Sequence, residues 1–131
     1  MSRLHILFID SDLYAHKRLL NALQHDFSIQ CVRSIAEAEQ QLNTHIPDIV
    51  ITEVRLNGTE SGLDLCRYLR SIPSLKHLPI MILTSLATIQ DKIAGFEAGA
   101  DDYVVKPFDA SHLIARTHLL TRIKHLEQQE R

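Results

Sequence analysis

The sequence predicts an α/β fold in which helices cover a parallel β-sheet. Short apolar runs alternate five times with longer segments of helical period, and this alternation is typical of parallel strands joined by crossover helices. Four of the five runs are apolar on both faces, as strands in the middle of such a sheet should be. The chain has 131 residues, 45% of them hydrophobic, which is enough material for one hydrophobic core. We therefore expect a single soluble domain.

Each apolar run is assigned to one strand. The first, third, fourth and fifth strands are predicted at Leu4–Ile9, at Ile49–Ile51 with an extension to Glu53, at Ile80–Leu83 and at Tyr103–Val105. The second run, Ile29–Val32, is interrupted by the polar residue Gln30, which favours a position at the edge of the sheet.

Helix starts are predicted where a hydroxyl residue stands three positions before an acid, since this pair satisfies the free amides of a first helical turn. The pairs are Ser34 with Glu37, Ser61 with Asp64 and Thr88 with Asp91. Apolar residues at helical spacing predict one buried stripe on each of the first four helices: Leu13, Leu20 and Leu23; Ile35, Ala38 and Leu42; Cys66, Leu69 and Ile72; and Ile89, Ile93 and Phe96. The glycines match no phosphate-binding pattern and are interpreted as turn and cap residues.

The last predicted helix differs from the others in length, because neither proline nor glycine occurs from Asp109 to Arg131. Its predicted core-facing residues are Leu113, Leu120 and Ile123, and a second stripe consists of Leu119, Ile123 and Leu126. Residues 1–123 are assigned to the globular domain and residues 124–131 to a polar extension of the helix. The extension is either a solvated tail or a linker helix that pairs with its twin or leads to a following output domain.

Composition and charge argue against several classes of function. The formal net charge is −2 and the isoelectric point is near 6.4, so the chain lacks the basic field that draws proteins onto nucleic acid, and protein partners are expected instead. No apolar segment is long enough to cross a bilayer, and the first residues do not resemble a signal peptide. Cys31 and Cys66 lie far apart in apolar patterns, which predicts buried reduced thiols. We therefore expect a cytoplasmic protein that binds neither nucleic acid nor a membrane.

Polar residues gather where the predicted strands end. In an open parallel sheet, the carboxyl ends of the strands form one edge, where loops diverge and functional sites collect. The residues at these ends are Asp10, Ser11 and Asp12 after the first strand, Glu53 and Arg55 after the third, Thr84 and Ser85 after the fourth, and Lys106 after the fifth. In this order, and with the run GADDYVVKPF at residues 99–108, they resemble the receiver domain of two-component response regulators. The resemblance extends to about Ile123.

The resemblance implies a flavodoxin-like, doubly wound sheet of five parallel strands in the order 2-1-3-4-5, with two helices on one face and three on the other. In that family an aspartate at the position of Glu53 accepts a phosphoryl group, and neighbouring carboxylates hold Mg²⁺. Thr84 and Lys106 stand at the positions of the switch hydroxyl and of the lysine that pairs with a phosphoryl oxygen. Tyr103 matches an aromatic residue that turns inward or outward with the activation state, and the Lys106–Pro107 peptide matches one that is commonly cis.

Two substitutions fall at the positions that matter most for phosphorylation. Ser11 replaces the second of the family's two adjacent acids, and a neutral hydroxyl contributes little to Mg²⁺ binding. Glu53 carries its carboxylate about 1.5 Å further out than an aspartate would. We therefore expect a non-enzymatic protein with no cofactor, in which Asp10 and Glu53 are weak metal candidates, Mg²⁺ binding is weak or absent, and Asp12 is not a ligand. Arg55 either occupies the position of the metal ion or is exposed on its loop.

These residues favour an atypical receiver domain that works through protein contacts without phosphorylation, in which Glu53 imitates a phosphorylated aspartate by reaching toward Lys106 and Thr84. The alternatives are a functional phosphoacceptor of a phosphorelay and a pocket that senses a small molecule, which an apolar cavity at the strand ends would favour. Expected partners are a histidine kinase, an output domain or another regulator. A homodimer through the fourth and fifth helices is also considered, with Asp102 and Arg116 paired between subunits or, alternatively, within one chain.

Overall fold

Five parallel strands form one sheet in the computed structural model, which describes residues 3–129. The strands are β1 (His5–Ile9), β2 (Ser28–Val32), β3 (Ile49–Thr52), β4 (Ile80–Thr84) and β5 (Asp102–Val105), and their order in the sheet is β2-β1-β3-β4-β5. The helices are α1 (Leu13–Leu23), α2 (Ile35–Thr44), α3 (Gly62–Ser71), α4 (Ile89–Glu97) and α5 (Ala110–Gln129), with a 3-10 helix at Pro73–Leu75. The predicted fold class and strand order are confirmed. Residues 1 and 2 of the predicted domain and residues 130 and 131 of its predicted extension lie outside the described residues.

The strand ends differ little from those predicted. β2 lies at one edge of the sheet and exposes Gln30, as the polar interruption of its pattern indicated. β3 ends at Thr52, so Glu53 is the first residue of the following loop and not the last residue of the strand. The Glu53 backbone N–H still donates to the carbonyl oxygen of Ile9 at 2.9 Å. The end of β1 therefore fixes the backbone that carries the Glu53 carboxylate.

Alternation along the strands divides the core into two layers. The layer on one face contains strand residues packed against α1 and α5, among them Phe8, Ile51, Leu83 and Val104 with Leu19 and Leu113. The layer on the other face contains strand residues packed against α2, α3 and the end of α4, among them Leu7, Val50 and Ile82 with Leu42, Leu65 and Ala98. Two helices thus cover one face and three the other, as predicted.

Helix α4 turns its small residues toward the sheet and its large apolar residues toward solvent. Gly95 is buried, and a β-carbon at this position would lie 2.9 Å from ring atoms of Tyr103. Because the helix backbone comes this close to the sheet, larger side chains have no room on that side. The predicted buried stripe is therefore wrong, and its members are 71%, 50% and 49% exposed at Ile89, Ile93 and Phe96.

The other predicted stripes are correct in part. In α1 the buried residues are Ala15, Leu19 and Leu23, whereas Leu13 is exposed and Leu20 is half-buried. The predicted stripes of α2 and α3 both face the core. Their buried residues are Ala38, Leu42, Cys66 and Leu69, and Ile35 and Ile72 pack against the same core. In α5 the core side consists of Leu113 and Leu120, while the exposed residues are Leu119, Ile123 and Leu126. The second α5 stripe is thus a surface feature.

Helix α5 continues without a break across residue 123, and ion pairs tie its second half to the domain. Lys124 Nζ lies 2.9 Å from a carboxylate oxygen of Asp101 and 3.3 Å from one of Glu127. The other carboxylate oxygen of Asp101 accepts a hydrogen bond from Arg70 of α3 at 2.6 Å. One carboxylate therefore connects α3, the start of the β5 region and α5.

The helix caps follow the predicted pairs closely. The Ser34 hydroxyl accepts from the backbone N–H of Glu37, and Thr88 and Asp91 form a reciprocal capping box. Ser61 caps α3 by accepting from the N–H two residues further on instead of three. Such caps satisfy amides that the first turn of a helix leaves without partners.

Both cysteines of the chain are free thiols. Cys66 is buried and Cys31 is half-buried, and neither forms a disulfide. Burial raises the pKa of both thiols to about 11, which disfavours the reactive thiolate.

Among the helices within residues 3–129, none has the length and apolar content needed to span a bilayer.

Gly62 lies where α3 passes closest to the loop after β3. Its N–H donates to the carbonyl oxygen of Val54 at 2.8 Å, and a β-carbon here would lie 2.0 Å from the carbonyl oxygen of Glu53. Gly58 differs, since its φ is +64° but no atom lies within 4 Å of the β-carbon position. Packing therefore leaves no room for a side chain at Gly62, whereas Gly58 is constrained only by its backbone conformation.

We predict that Gly62→Ala lowers the free energy of unfolding by about 3 kcal/mol, because α3 or the loop that carries Glu53 must move. Gly58→Ala is the matched control and should cost about 1 kcal/mol through its left-handed backbone alone. Urea denaturation of both variants measures the difference. Equal losses would contradict the close approach of α3 to the Glu53 loop.

Candidate functional site

Three charged side chains meet above one face of the sheet because of strand alternation. Side chains two residues apart in extended chain point the same way, so Asp10, Glu53 and Lys106 continue the faces of Phe8, Ile51 and Val104. Those three apolar residues belong to the core layer under α1 and α5. The parallel register of the strands then brings the three polar ends to the same edge. The predicted gathering of these residues is present in the structure.

The Lys106 ammonium lies between two carboxylates. Its Nζ donates hydrogen bonds to Asp10 Oδ2 at 2.9 Å and to Glu53 Oε1 at 3.0 Å. The Asp10 side chain is 3% exposed, that of Glu53 12% and that of Lys106 20%. Burial alone would lower the pKa of Lys106, but the hydrogen bonds to both carboxylates outweigh burial and raise this pKa above its ordinary value. The lysine is therefore charged at neutral pH.

Every carboxylate oxygen of this cluster has a partner. Asp10 Oδ1 accepts from the backbone N–H of Asp12 at 2.9 Å, and Glu53 Oε2 accepts from the backbone N–H of Val54 at 2.7 Å. The remaining two oxygens accept from Lys106. Such complete pairing is what stabilises two nearly buried carboxylates beside each other.

The side chains around the cluster do not fit a Mg²⁺ site. Mg²⁺ requires near-octahedral oxygen ligands with carboxylate charge, whereas the two carboxylates here already share one ammonium and the next side chain along, Ser11, is neutral. Asp12 is directed elsewhere, since it caps α1 and lies 3.7 Å from Arg18. Across residues 3–129 no group of three or more histidine, cysteine, aspartate or glutamate side chains is arranged to hold a metal ion.

Thr84 and Tyr103 both bind the backbone of Leu86, in the loop between β4 and α4. The buried Thr84 hydroxyl accepts from the Leu86 N–H at 3.3 Å, and the Tyr103 hydroxyl donates to the Leu86 carbonyl oxygen at 2.8 Å. Tyr103 is 8% exposed and therefore turned inward. Its pKa is raised by burial, then by the charges of Asp91 and Glu53. The expected reach of Glu53 is thus seen toward Lys106, while Thr84 bonds to the loop.

A protein-family model described as the response regulator receiver domain matches residues 6–118. The chain belongs to this family. Its relatives include the phosphate regulon transcriptional regulatory protein PhoB of Rhizobium meliloti, which is 40% identical over 96 residues, covering 73% of this chain and 42% of that protein. The response regulator MprA of Mycobacterium ulcerans is 33% identical over 126 residues, covering 95% of this chain and 53% of that protein. The chain spans about half the length of these curated relatives.

A solved structure of a response regulator is similar to this chain. The crystal structure of a candidate response regulator from Chloroflexus aurantiacus superposes with a TM-score of 0.87 at 36% identity, covering 92% of this chain and 99% of that one. The expected cis peptide of the receiver domain is present at Lys106–Pro107. Receiver fold and receiver family are therefore both established for this chain.

Arg55 of this receiver domain lies outside the cluster. Its side chain is exposed, and it takes part in none of the ion pairs found among residues 3–129. Its backbone forms an isolated bridge with Ser61, which holds the loop against the start of α3. The Lys106 ammonium, and not the Arg55 guanidinium, is the cation beside both carboxylates. Of the two alternatives considered for Arg55, the structure has the exposed loop residue.

Asp102 and Arg116 pair within the chain. Arg116 Nε donates to Asp102 Oδ2 at 2.7 Å, and a second guanidinium nitrogen donates to the other carboxylate oxygen. This two-point geometry is the strong form of an arginine–carboxylate contact. Of the two arrangements considered from sequence, the structure has the intrachain one, and it fixes α5 to the start of β5.

A cavity of about 370 Å³ lies beside the charged cluster, on the face covered by α1 and α5. Apolar side chains make most of its walls, and Lys106 belongs to both the cavity and the cluster. The lining residues are Phe8, Ala15, Arg18, Leu83, Ser85, Lys106, Pro107 and Phe108. This is the apolar cavity at the strand ends that favours a ligand-sensing alternative.

We predict that Lys106→Met lowers the free energy of unfolding at neutral pH by about 3 kcal/mol, because two nearly buried carboxylates lose their cation. Because the folded-state pKa of Lys106 is raised, the stability from this lysine is fully present below its unfolded pKa of about 10.4 and is lost as pH rises through the folded value. The difference between wild type and variant should therefore shrink in that alkaline range.

Urea denaturation at several pH values measures this difference. Lys92→Met, the same change at an exposed position of α4, is the control and should alter stability by less than about 0.5 kcal/mol. A Lys106→Met loss that stays constant through the alkaline range would show that the ammonium charge is not what stabilises the site.

Proposed function

We propose that this receiver domain works through protein contacts and does not accept a phosphoryl group at position 53. The observation that carries the proposal is the Glu53 carboxylate, which bonds Lys106 with one oxygen and the Val54 N–H with the other. A carboxylate oxygen that already accepts a hydrogen bond is a weaker nucleophile, and both oxygens of Glu53 accept one. The function is accordingly that of a signalling module and not of an enzyme.

The length of the side chain supports the same proposal. Glutamate carries its carboxylate about 1.5 Å further from the backbone than aspartate. A displacement of about 1 Å from productive geometry costs on the order of a hundredfold in rate. The Glu53 backbone has no freedom to compensate, since its N–H is bonded to Ile9 and its carbonyl oxygen lies against Gly62.

We further propose that Mg²⁺ binds weakly or not at all. Ser11 leaves the cluster with two carboxylates, and Lys106 already provides the positive charge between them. A metal ion would have to displace or repel this ammonium. An aspartate at position 11 would add the carboxylate charge that Mg²⁺ binding requires and that Ser11 lacks.

A fixed charge at Glu53 is the positive part of the proposal. The Glu53 carboxylate pairs with Lys106 and, after burial and the charge of Asp91, contributes to the raised pKa of Tyr103, so it acts on two residues that stand at the family's switch positions. Tyr103 is turned inward and bonded to Leu86. This supports a domain held in one state by its own side chain, imitating a phosphorylated aspartate.

The second candidate is a functional phosphoacceptor receiver of a two-component phosphorelay, and the comparisons favour it over the first. One relative is named a response regulator and the other a transcriptional regulatory protein. Neither name describes a module that works without phosphorylation. Similarity thus supports the second candidate, while the residues at positions 11 and 53 support the first.

Partners of the whole protein are also proposed. A histidine kinase, an output domain or another regulator fits a receiver family member, and residues 124–131 would link the domain to such a region. The exposed apolar residues of α4 and α5 support a protein contact there, including a homodimer. Absence of direct nucleic-acid binding is proposed for this domain alone, and the expected cytoplasmic location remains a prediction.

We predict that wild-type protein incubated with acetyl phosphate and Mg²⁺ gains no mass, whereas Ser11→Asp combined with Glu53→Asp gains one phosphoryl group. The double change supplies the missing carboxylate for Mg²⁺ and returns the nucleophile to aspartate length. Intact-protein mass spectrometry measures the gain. Glu53→Asp alone is the matched control and should react less than the double variant.

Phosphorylation of the wild type would refute the first candidate and support the second. Failure of the double variant to react, with its fold retained by circular dichroism, would mean that the site differs from a phosphoacceptor by more than these two positions.

We predict that Glu53→Gln lowers the pKa of Tyr103 and increases the fraction of outward Tyr103 conformers. Removing a nearby negative charge favours the ionised phenol, because the Glu53 charge contributes to the raised pKa. NMR of the labelled tyrosine ring measures both quantities. Glu97→Gln at the exposed end of α4 provides the same charge change as a control. Unchanged Tyr103 behaviour and unchanged partner binding in Glu53→Gln would contradict the role of Glu53 as a fixed charge.

A further inference from the structure

We propose that the 370 Å³ cavity beside the cluster binds a small organic anion with an apolar body, of the arylalkyl carboxylate class. The carboxylate would pair with Arg18, and the apolar body would lie against Phe8, Leu83 and Phe108. The inference goes beyond the proposed function and does not rest on it, because the cavity shares Lys106 with the cluster but is not lined by either of its carboxylates. It specifies the ligand class for the sensing alternative.

The shape of the cavity fits a small molecule. Its volume lies within the range of about 300–1,000 Å³ that is usual for ligand pockets. Phe8, Ala15 and Leu83 are at most 3% exposed and belong to the core under α1, so the inner wall is rigid. Phe108 is half-buried and packs against the same core from the loop after β5. An apolar ligand that fills this space would remove apolar surface from water.

Arg18 is the cation of the cavity that is available to an anion. The charged residues among the described cavity lining are Arg18 and Lys106, and the charge of Lys106 is already offset by two carboxylates. Lys106 is already held by Asp10 and Glu53, each within 3.0 Å. Arg18 is held far more loosely, since its partner Asp12 is 3.7 Å away and both side chains are more than half exposed. The Arg18 guanidinium is therefore the group that can bind a carboxylate in a two-point geometry.

Asp12 does not prevent this binding. Its Oδ1 accepts from the Tyr14 N–H as the cap of α1, and this bond remains when Arg18 turns to a ligand. The exposed Ser85 at the mouth of the cavity offers a hydroxyl that can donate to the same carboxylate. Lys106 belongs to both the cavity wall and the ion pair, so a bound ligand contacts a residue that also holds Glu53.

The experiment is an NMR titration of the full chain with phenylbutyrate, using the uncharged phenylbutanol as the matched ligand. We expect saturable binding of phenylbutyrate below about 10 mM, with the largest shifts at Ala15, Arg18, Ser85 and Phe108. Phenylbutanol should bind more weakly. Arg18→Gln should weaken phenylbutyrate about fivefold, as an exposed ion pair allows, and should leave phenylbutanol unchanged.

Variants on and near the cavity make the result decisive. Lys17→Gln removes the same charge from the neighbouring exposed position of α1, outside the cavity lining, and should change the affinity less than twofold. Ala15→Leu fills the cavity and should abolish binding; if it fails to fold, Ser85→Leu at the exposed mouth tests the same point. The larger cavity of about 710 Å³, lined by Thr121 and Arg122, should show no shifts.

Three results would overturn the inference: no saturable binding of phenylbutyrate, shifts centred on Thr121 and Arg122, or equal effects of Arg18→Gln and Lys17→Gln. The titration contains neither a phosphoryl donor nor Mg²⁺. Its failure therefore leaves the proposal about Glu53 intact, and phosphorylation of the wild type would leave the binding result intact.

Discussion

The contact of the Lys106 ammonium with the carboxylates of Asp10 and Glu53 is the interaction on which the carboxyl edge of the sheet depends. It joins the ends of β1, β3 and β5, which lie across four neighbouring strands. Two carboxylates this close and this buried would repel each other without a cation, and each alone would be costly to desolvate. The Lys106 ammonium offsets the charge of both carboxylates, so this one side chain holds the ends of the three strands together.

The serine at position 11 makes this arrangement self-sufficient. With two carboxylates and one ammonium, the cluster carries a formal charge of about −1, whereas a third carboxylate at Ser11 would bring it to about −2 and demand a further cation. The longer acid at Glu53 then reaches the lysine and the Val54 N–H without leaving an oxygen unpaired. The two residues are thus physically related, because Ser11 leaves the cluster with two carboxylates and Glu53 bonds the lysine that lies between them.

Periodicity and strand ends were sufficient to predict the sheet and the residues that meet at its edge, and the resemblance to receiver domains supplied the strand order. They were insufficient for α4, because burial there depends on Gly95, and a stripe pattern counts large apolar residues while ignoring small ones. A glycine inside a helix was the available signal. Sequence could not decide whether Arg55 enters the cluster or stays exposed, since a residue two positions past a strand end can do either, and in the structure its side chain is exposed. The contacts of the Leu86 backbone with Thr84 and Tyr103 could not be predicted from sequence, because almost any residue supplies an N–H and a carbonyl oxygen.

Family membership and the residues of the site answer different questions. The receiver fold, and with it the positions at the ends of the strands, is established by similarity over most of the chain. Chemistry depends on the side chains that stand at those positions, and a scaffold can keep its geometry after its chemistry has changed. Here the side chains at the family's switch positions are all bonded: Tyr103 is turned inward onto Leu86, Thr84 bonds the same loop, and Lys106 is paired. Under the proposed role of Glu53, its permanent carboxylate holds these side chains in one state, and regulation enters elsewhere on the molecule. The cavity that shares Lys106 with the ion pair is the described feature best situated for it.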